Sequence, residues 1–147
     1  MSQKIITISL LLLPLFFFAQ QNAKDATFFS PKDQVNKFHT ISDLEALKKG
    51  ELIALYQDRV SEILTILPYL SLTNEANIRL SDIGIKEDSK HLKVLKNNTE
   101  SSSDHIEVSK ETIEELVPYA DTEKIIWTVL FYEDVIKKMR IGTNGNL

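Results

Sequence analysis

The stretch from Ile125 to Met139 constrains the fold of this chain more than any other. Residues 125–132 are apolar or aromatic at every position except Thr128, and residues 133–139 are amphipathic. A segment that is apolar on all sides is normally surrounded by other elements, so we expect this one at the centre of a domain. Its β-branched and aromatic content would also suit a buried strand.

The surrounding residues favour a helix from about Thr122 to Arg140. Asp121 stands where a helix cap is expected, and the apolar spacing continues to the end of the stretch. The pairs Glu133–Lys137 and Asp134–Lys138 place an acid four residues before a base, which stabilises a helix by about 0.2–0.5 kcal/mol per pair. We therefore predict one helix whose first half lies in the core.

A second helix is predicted from Glu51 to Leu67. Its apolar residues recur at intervals of three and four, the spacing of one helical stripe: Ile53, Tyr56, Val60, Ile63, Leu64 and Leu67. Arg59 and Glu62 are expected on the solvent side. Pro68 ends the helix, because the residue before a proline avoids the helical region.

Weaker signals predict further helical segments. A serine cap followed by proline opens a short helix over 30–38, and residues 42–45 form a capping box for a helix that runs to Lys49. Two more helices are predicted over 86–96 and 109–117, and the second of these ends at Pro118.

Two stretches interrupt these helices. Apolar and polar residues alternate over 69–85, which fits either a pair of short strands or an irregular loop that is pinned to the helices by its apolar side chains. Residues 97–104 contain no apolar side chain, so we predict a flexible linker there.

The N-terminus has the three-part layout of a secretory signal peptide. Lys4 precedes an apolar run over 5–18, and small or polar residues follow from Ala19. The ending at 17–20 resembles bacterial export signals, with cleavage expected after Ala19. An uncleaved anchor is the alternative, although the run is shorter than the roughly 20 apolar residues that cross a bilayer.

The chain therefore divides into four parts. We expect a signal peptide over 1–19, an N-terminal arm with room for a short helix over 20–40, a helical domain over 41–141 and a loose tail over 142–147. No transmembrane span is expected once the signal is removed.

Composition excludes several function classes. The chain has no cysteine, so disulfides, thiolate catalysis and Cys-ligated metal sites are impossible. A net charge of −4, with acids and lysines interspersed, disfavours nucleic-acid partners, which need a basic face. The four glycines are isolated, so no glycine-rich phosphate loop can form. We assign no catalytic residue, no metal ligand and no cofactor.

His105 is the most suggestive of the three histidines, because serines at 101–103 and Asp104 precede it. Serine, acid and imidazole are the groups of a hydrolase triad, but a low-complexity loop does not hold them in a fixed orientation. A weak metal site formed by Glu100, Asp104, His105 and Glu107 is a second hypothesis, and it lacks the fixed spacing of a metal motif.

Aromatic residues are the best candidates for a ligand or partner surface, and five carry the prediction: Tyr56, Tyr69, Tyr119, Trp127 and Phe131. Trp127 and Phe131 project to a different side of the last helix from its central stripe. We expect that side to pack against another helix, because aromatic residues at helical spacing are usually core residues. If it is exposed instead, it marks a partner or ligand site.

The two predicted helix ends at Pro68 and Pro118 resemble each other. Ile63 and residues 66–69 are matched by Ile113 and residues 116–119. Each end is expected to place a tyrosine over the core. A duplicated helical hairpin and chance similarity both remain open as explanations.

The sequence thus predicts an all-α domain, an irregular bundle of four to six short helices. The alternative is an α+β fold in which 69–85 forms strands. The favoured function is a non-enzymatic periplasmic or extracellular protein that binds a protein partner or itself through helical faces. The alternative is a small-molecule or metal-binding protein, or a weak hydrolase, that uses a tyrosine-lined pocket or the loop around His105.

Overall fold

The computed structural model describes residues 26–141, so the predicted signal peptide, residues 20–25 of the arm and the tail over 142–147 lie outside it. Its α-helices are α1 (Ile41–Glu45), α2 (Lys49–Ile66), α3 (Ser89–Leu116) and α4 (Thr122–Ile141). Short 3-10 turns lie at Pro31–Asp33, Leu67–Tyr69, Ser81–Ile83 and Val117–Tyr119. This part of the chain contains no sheet, which confirms the all-α prediction. α4 agrees with the helix predicted from about Thr122 to Arg140, whereas α3 is longer than expected.

α2 is the central helix, and α3 and α4 pack on two sides of it. Arg59 and Glu62 of α2 contact Glu133 and Arg140 of α4, in that order, so the two helices run parallel. None of the helices within residues 26–141 combines the length and the apolar character needed to cross a membrane.

α3 runs antiparallel to α2. Near the middle of α2, the Gln57 side chain donates a hydrogen bond to the carbonyl of Lys110 at 3.2 Å. Just beyond the end of α2, the hydroxyl of Tyr69 accepts a hydrogen bond from Asn98 at 2.7 Å. Residue numbers therefore increase in opposite directions along the two helices.

The apolar core consists of two clusters. The cluster at the start of α2 and α4 contains Leu44, Leu52, Ile125, Ile126 and Val129. The cluster at their ends contains Phe28, Phe29, Ile66, Tyr69, Leu80, Leu95 and Met139. Each fully buried side chain of this size contributes about 1.5–3 kcal/mol. The burial of residues 125, 126 and 129 places one side of the predicted central stretch in the core.

The buried face of α2 is rotated away from the predicted stripe. Its most deeply buried residues are Leu52, Arg59, Glu62 and Ile66, whereas Leu67 is 53% exposed. The prediction that Arg59 and Glu62 face solvent is therefore wrong. It treated a charge as a marker of the surface, but both charges are paired inside the protein.

The predicted helix ends at Pro68 and Pro118 are confirmed. α2 and α3 each end just before the 3-10 turn that holds the proline. The two tyrosines differ, because Tyr69 is buried and Tyr119 is 89% exposed. The expectation that each tyrosine covers the core holds for Tyr69 and is wrong for Tyr119.

The flexible linker predicted over 97–104 is wrong, because these residues form the middle of α3. The stretch has neither glycine nor proline to break a helix. Partly or fully buried residues continue through it at intervals of three and four: Leu95, Asn98, Ser102, Ile106, Ser109 and Ile113. Small polar side chains occupy the inner face here, so the two helices predicted over 86–96 and 109–117 are one.

Residues 69–85 adopt the irregular loop, and the strand alternative is wrong for them. Their one β-type contact is an isolated bridge between Thr27 and Arg79. Apolar side chains such as Ile78 and Ile85 pack against the apolar cluster at the ends of α2 and α4 and so hold the loop in place. Gly84 has a φ of 80°, a left-handed conformation that favours glycine at the end of the preceding 3-10 turn.

The N-terminal arm is only partly as predicted. Phe28 and Phe29 belong to the core, and the Asp33 carboxylate accepts the main-chain N–H of Ser30 at 2.8 Å. A 3-10 turn follows instead of the helix predicted to residue 38, since the chain is extended again at residue 34. α1 is capped by Thr40 rather than by residue 42, and it ends at Glu45 rather than at residue 49.

A proline at position 101 tests whether α3 is continuous. Ser101 lies in the middle of the helix and is exposed, so its replacement changes the main chain without disturbing the core. Ser101→Pro should lower the free energy of unfolding by about 3 kcal/mol, since proline removes a main-chain hydrogen bond and clashes with the preceding turn. Ser101→Ala is the matched control and should change this free energy by less than about 0.7 kcal/mol. Urea unfolding followed by circular dichroism measures both; equal stability of the two variants would contradict a continuous helix.

Candidate functional site

The outer face of α4, which we define by Trp127, Phe131, Asp134 and Lys138, exposes two aromatic side chains. Trp127 is 65% exposed and Phe131 is 49% exposed. Their rings stack with centroids 5.4 Å apart and an angle of 12° between the planes. Further along this face, Lys138 and Asp134 form an ion pair at 2.9 Å. The expectation that this side packs against another helix is wrong, because α2 packs against the opposite side of α4.

An aromatic row links this face to α2. Phe131 contacts Tyr132 with ring centroids 5.8 Å apart, and Tyr132 stacks on Tyr56 of α2 at 5.4 Å. Burial raises the pKa of Tyr56 to about 12, and the neighbouring Tyr132 adds to the effect. Tyr56 therefore stays protonated at neutral pH, so it can pack and donate a hydrogen bond but cannot act as a base.

The five predicted site residues do not converge on one pocket. Tyr56, Trp127 and Phe131 belong to the aromatic row. Tyr69 lies in the apolar cluster at the ends of α2 and α4 and lines a cavity of about 220 Å³. Tyr119 is exposed, and within residues 26–141 its ring contacts none of the other aromatic rings.

His105 does not lie in a loop. It is exposed on α3, and within residues 26–141 its side chain forms no hydrogen bond or ion pair with the serines and acids near it. In the part of the chain that the structure describes, no three His, Asp or Glu side chains are close enough to hold a metal ion.

A buried ion pair lies midway between the two apolar clusters. Arg59 of α2 and Glu133 of α4 are 2% and 0% exposed, and the guanidinium Nη2 lies 2.7 Å from the carboxylate Oε1. Removing one partner of such a pair costs about 3–5 kcal/mol, because the other charge stays buried and unpaired.

A second ion pair lies further along the same two helices. Glu62 is 1% exposed, and the Arg140 guanidinium donates to its two carboxylate oxygens at 2.9 and 2.8 Å. This bidentate geometry gives a stronger interaction than a single hydrogen bond between the same charged groups. Within residues 26–141, every buried side-chain nitrogen and oxygen has a partner.

Both ion pairs hold the strap, which we define as residues 34–39. Glu62 accepts the main-chain N–H of Val35 at 2.6 Å, and Arg140 donates to the Val35 carbonyl at 2.8 Å. Arg59 donates to the carbonyl of Lys37 at 2.9 Å. The buried charges therefore stabilise this non-helical segment as well as each other.

His39 completes the first ion pair. Its main-chain N–H donates to Glu133 Oε2 at 2.7 Å, and its Nδ1 lies 2.9 Å from Oε1. Burial alone raises the pKa of the Glu133 carboxyl, but the hydrogen bonds from His39 and Arg59 outweigh it and hold the pKa below its ordinary value. Glu133 is therefore an ionised structural carboxylate at neutral pH, with its oxygens already bonded.

The sequence interpretation missed this network, although one signal was present. Glu133 falls three or four residues from Val129 and Ile136, on the buried stripe of α4. The predicted Glu133–Lys137 pair is wrong for that reason, and Lys137 lies over the Phe38 ring at 4.9 Å instead. The exposed Asp134–Lys138 pair is confirmed. Spacing alone did not reveal which cation meets Glu133.

A groove of about 590 Å³ separates the strap from α3, and α2 forms its floor. Its walls carry strap residues, including Lys37 and Asn36, and α3 residues Ile106 and Lys110. We call it the strap groove. It is open, and its lining is mostly polar, which suits a hydrated ligand better than an apolar one.

Comparison of the chain with protein-family models, with curated proteins and with solved structures finds no match. The geometry of the described residues therefore carries the functional argument.

Glu133 provides a direct test of the buried ion pair. Glu133→Gln should lower the free energy of unfolding by about 3 kcal/mol, because it leaves the Arg59 guanidinium buried without a counter-charge. Glu123→Gln makes the same chemical change at an exposed position in the first turn of α4, and a shift within about 0.5 kcal/mol is expected there. Urea unfolding at neutral pH measures both, and a near-neutral Glu133→Gln would refute the pairing.

Proposed function

We propose that this is a non-enzymatic, exported protein of the bacterial periplasm or exterior that binds another protein through the outer face of α4. One observation carries the proposal: Trp127 and Phe131 are exposed while the opposite face of the same helix is buried. The sequence at 1–19 supports export, since it has the layout of a signal peptide.

The chemistry of this face suits a protein interface. Tryptophan and other aromatic side chains are enriched at the energetic centre of interfaces, where they fill pockets on the partner. Trp127 and Phe131 stack on each other, so the two rings hold a fixed arrangement before a partner arrives. Asp134 and Lys138 lie beyond them and provide the polar rim that such interfaces usually have.

An enzymatic function has weaker support. The buried carboxylates Glu62 and Glu133 are bonded to arginines and to the strap, so neither is available to a substrate. Tyr56 is protonated at neutral pH, and His105 is an exposed helical residue without an oriented partner. A small-molecule site lined by tyrosines remains the alternative, and it would centre on the cavity beside Tyr69.

A site-specific photo-cross-linker tests the proposed interface. Placed at position 127 in cells that make the protein, it should give one discrete cross-linked product in the envelope fraction, because Trp127 is expected at the centre of the contact. The matched control is position 108 on α3, where Val108 is 61% exposed but lies on another helix. No such product is expected there.

Trp127→Ala separates binding from folding. Because Trp127 is exposed, this variant should unfold within about 0.5 kcal/mol of the parent protein. With the cross-linker moved to Phe131, Trp127→Ala should abolish the product. Equal cross-linking from positions 127 and 108, or none from 127, would refute the interface; a full-length N-terminus retained in the cytosol would refute export.

A further inference from the structure

We infer that the strap groove is a second binding site, and that it takes an extended peptide segment carrying acidic side chains. The strap supplies a main-chain edge for such a segment, and lysines on both walls supply the charge. This inference does not depend on the outer face of α4, which is formed by other residues.

The first observation is the charge of the groove. Lys32 and Lys37 line the strap side and Lys110 lines the α3 side, and none of the three forms an ion pair with another described residue. The lining contains two acids, Asp33 and Asp58, so the three unpaired lysines exceed the acids by one. The groove is therefore locally cationic on a chain whose net charge is −4, and this contrast favours an anionic ligand there.

The second observation is the pattern of main-chain hydrogen bonds in the strap. The buried ion pairs bind main-chain groups of Val35, Lys37 and His39, which are every second residue of the strap. The main-chain N–H and C=O of Asn36 and Phe38 have no partner within residues 26–141. Of these two residues Asn36 lines the groove, so its N–H and C=O are the groups that an incoming strand can pair with.

The third observation is the position of Asn36. Asn36 and Lys37 of the strap line the groove, α3 forms its far wall, and Arg59 and His39 of the buried network also line it. A peptide in the groove would thus pair with Asn36 and place its side chains near Lys37 and Lys110. Strand addition of this kind takes its affinity from main-chain bonds and its specificity from alternate side chains.

The fit favours a peptide over other anions. A single phosphate or carboxylate would meet the lysines but would leave the edge of the strap unpaired. A groove of about 590 Å³ falls in the range of sites that bury a ligand of several residues. The small cavity beside Tyr69 shares Asp33, Thr65 and Ile106 with the groove, so the channel continues along α3.

Fluorescence anisotropy with a labelled peptide tests the inference. The probe alternates glutamate and valine over about ten residues, which is enough to span the strap at roughly 3.3 Å per residue. Lys37→Glu and Lys110→Glu should each weaken its binding by about tenfold, because like charges then face each other. Lys93→Glu is the matched control, since Lys93 is exposed on α3 and does not line the groove; binding should change less than about twofold.

Two further probes test the two parts of the claim. A lysine–valine peptide of the same length should not bind, and the glutamate–valine peptide with alternate amides methylated should bind about tenfold more weakly, because it cannot pair with Asn36. Hydrogen exchange at the Asn36 amide should slow when the unmodified peptide binds. Trp127→Ala should bind the peptide as the parent protein does, so failure of the α4 interface and failure of the groove can be told apart.

Several results would overturn the inference. One is the absence of saturable binding of the acidic peptide. A second is that the two lysine-reversal variants, once circular dichroism confirms that they are folded, bind the peptide as tightly as the parent protein does. A third is that the methylated peptide binds as tightly as the unmodified one. Binding of inorganic phosphate in competition with the peptide, without any change at the Asn36 amide, would show an anion site and would also contradict strand addition.

Discussion

The buried pair of Arg59 and Glu133 is the interaction on which the rest of the described structure depends. It joins the two central helices at the level where neither apolar cluster reaches. Moving two charges out of water costs several kcal/mol per ion, and their attraction offsets this only when the remaining bonds are also made. The carbonyl of Lys37 and the N–H of His39 make those bonds. The ion pair that joins the helices therefore also holds the strap in place.

This dependence positions both candidate binding surfaces. Because the ion pairs tie the strap to α2 and α4, its residues Asn36 and Lys37 line an open groove whose far wall is α3. Because α4 directs Glu133 and its apolar stripe towards α2, Trp127 and Phe131 are left on the outside. The first half of α4 is apolar on all sides for two different reasons: one side is the core, and the other is where we propose that a partner binds.

Much of the fold could be predicted from local pattern. The helix from Thr122 onward follows from its apolar spacing, and Pro68 and Pro118 end helices because proline restricts the preceding residue. The middle of α3 could not be predicted in this way, because Ser102 and its neighbours are small polar residues whose burial depends on α2. The pairing of Arg59 with Glu133 is a contact between distant parts of the chain, and spacing within a helix does not encode it. The exposure of Trp127 also depends on which side of α4 meets α2.

Hydrogen exchange along the strap, measured after both members of the buried pair are replaced, tests most directly whether this ion pair positions the strap. The double variant Arg59→Met, Glu133→Leu should keep its helices, because a well-packed apolar pair can substitute for a buried ion pair at little cost in stability. The His39 amide, which donates to Glu133, should then exchange at least about tenfold faster, whereas the Val35 amide, held by Glu62, should stay protected. Unchanged protection of His39 in a folded double variant would contradict the claim that this ion pair positions the strap.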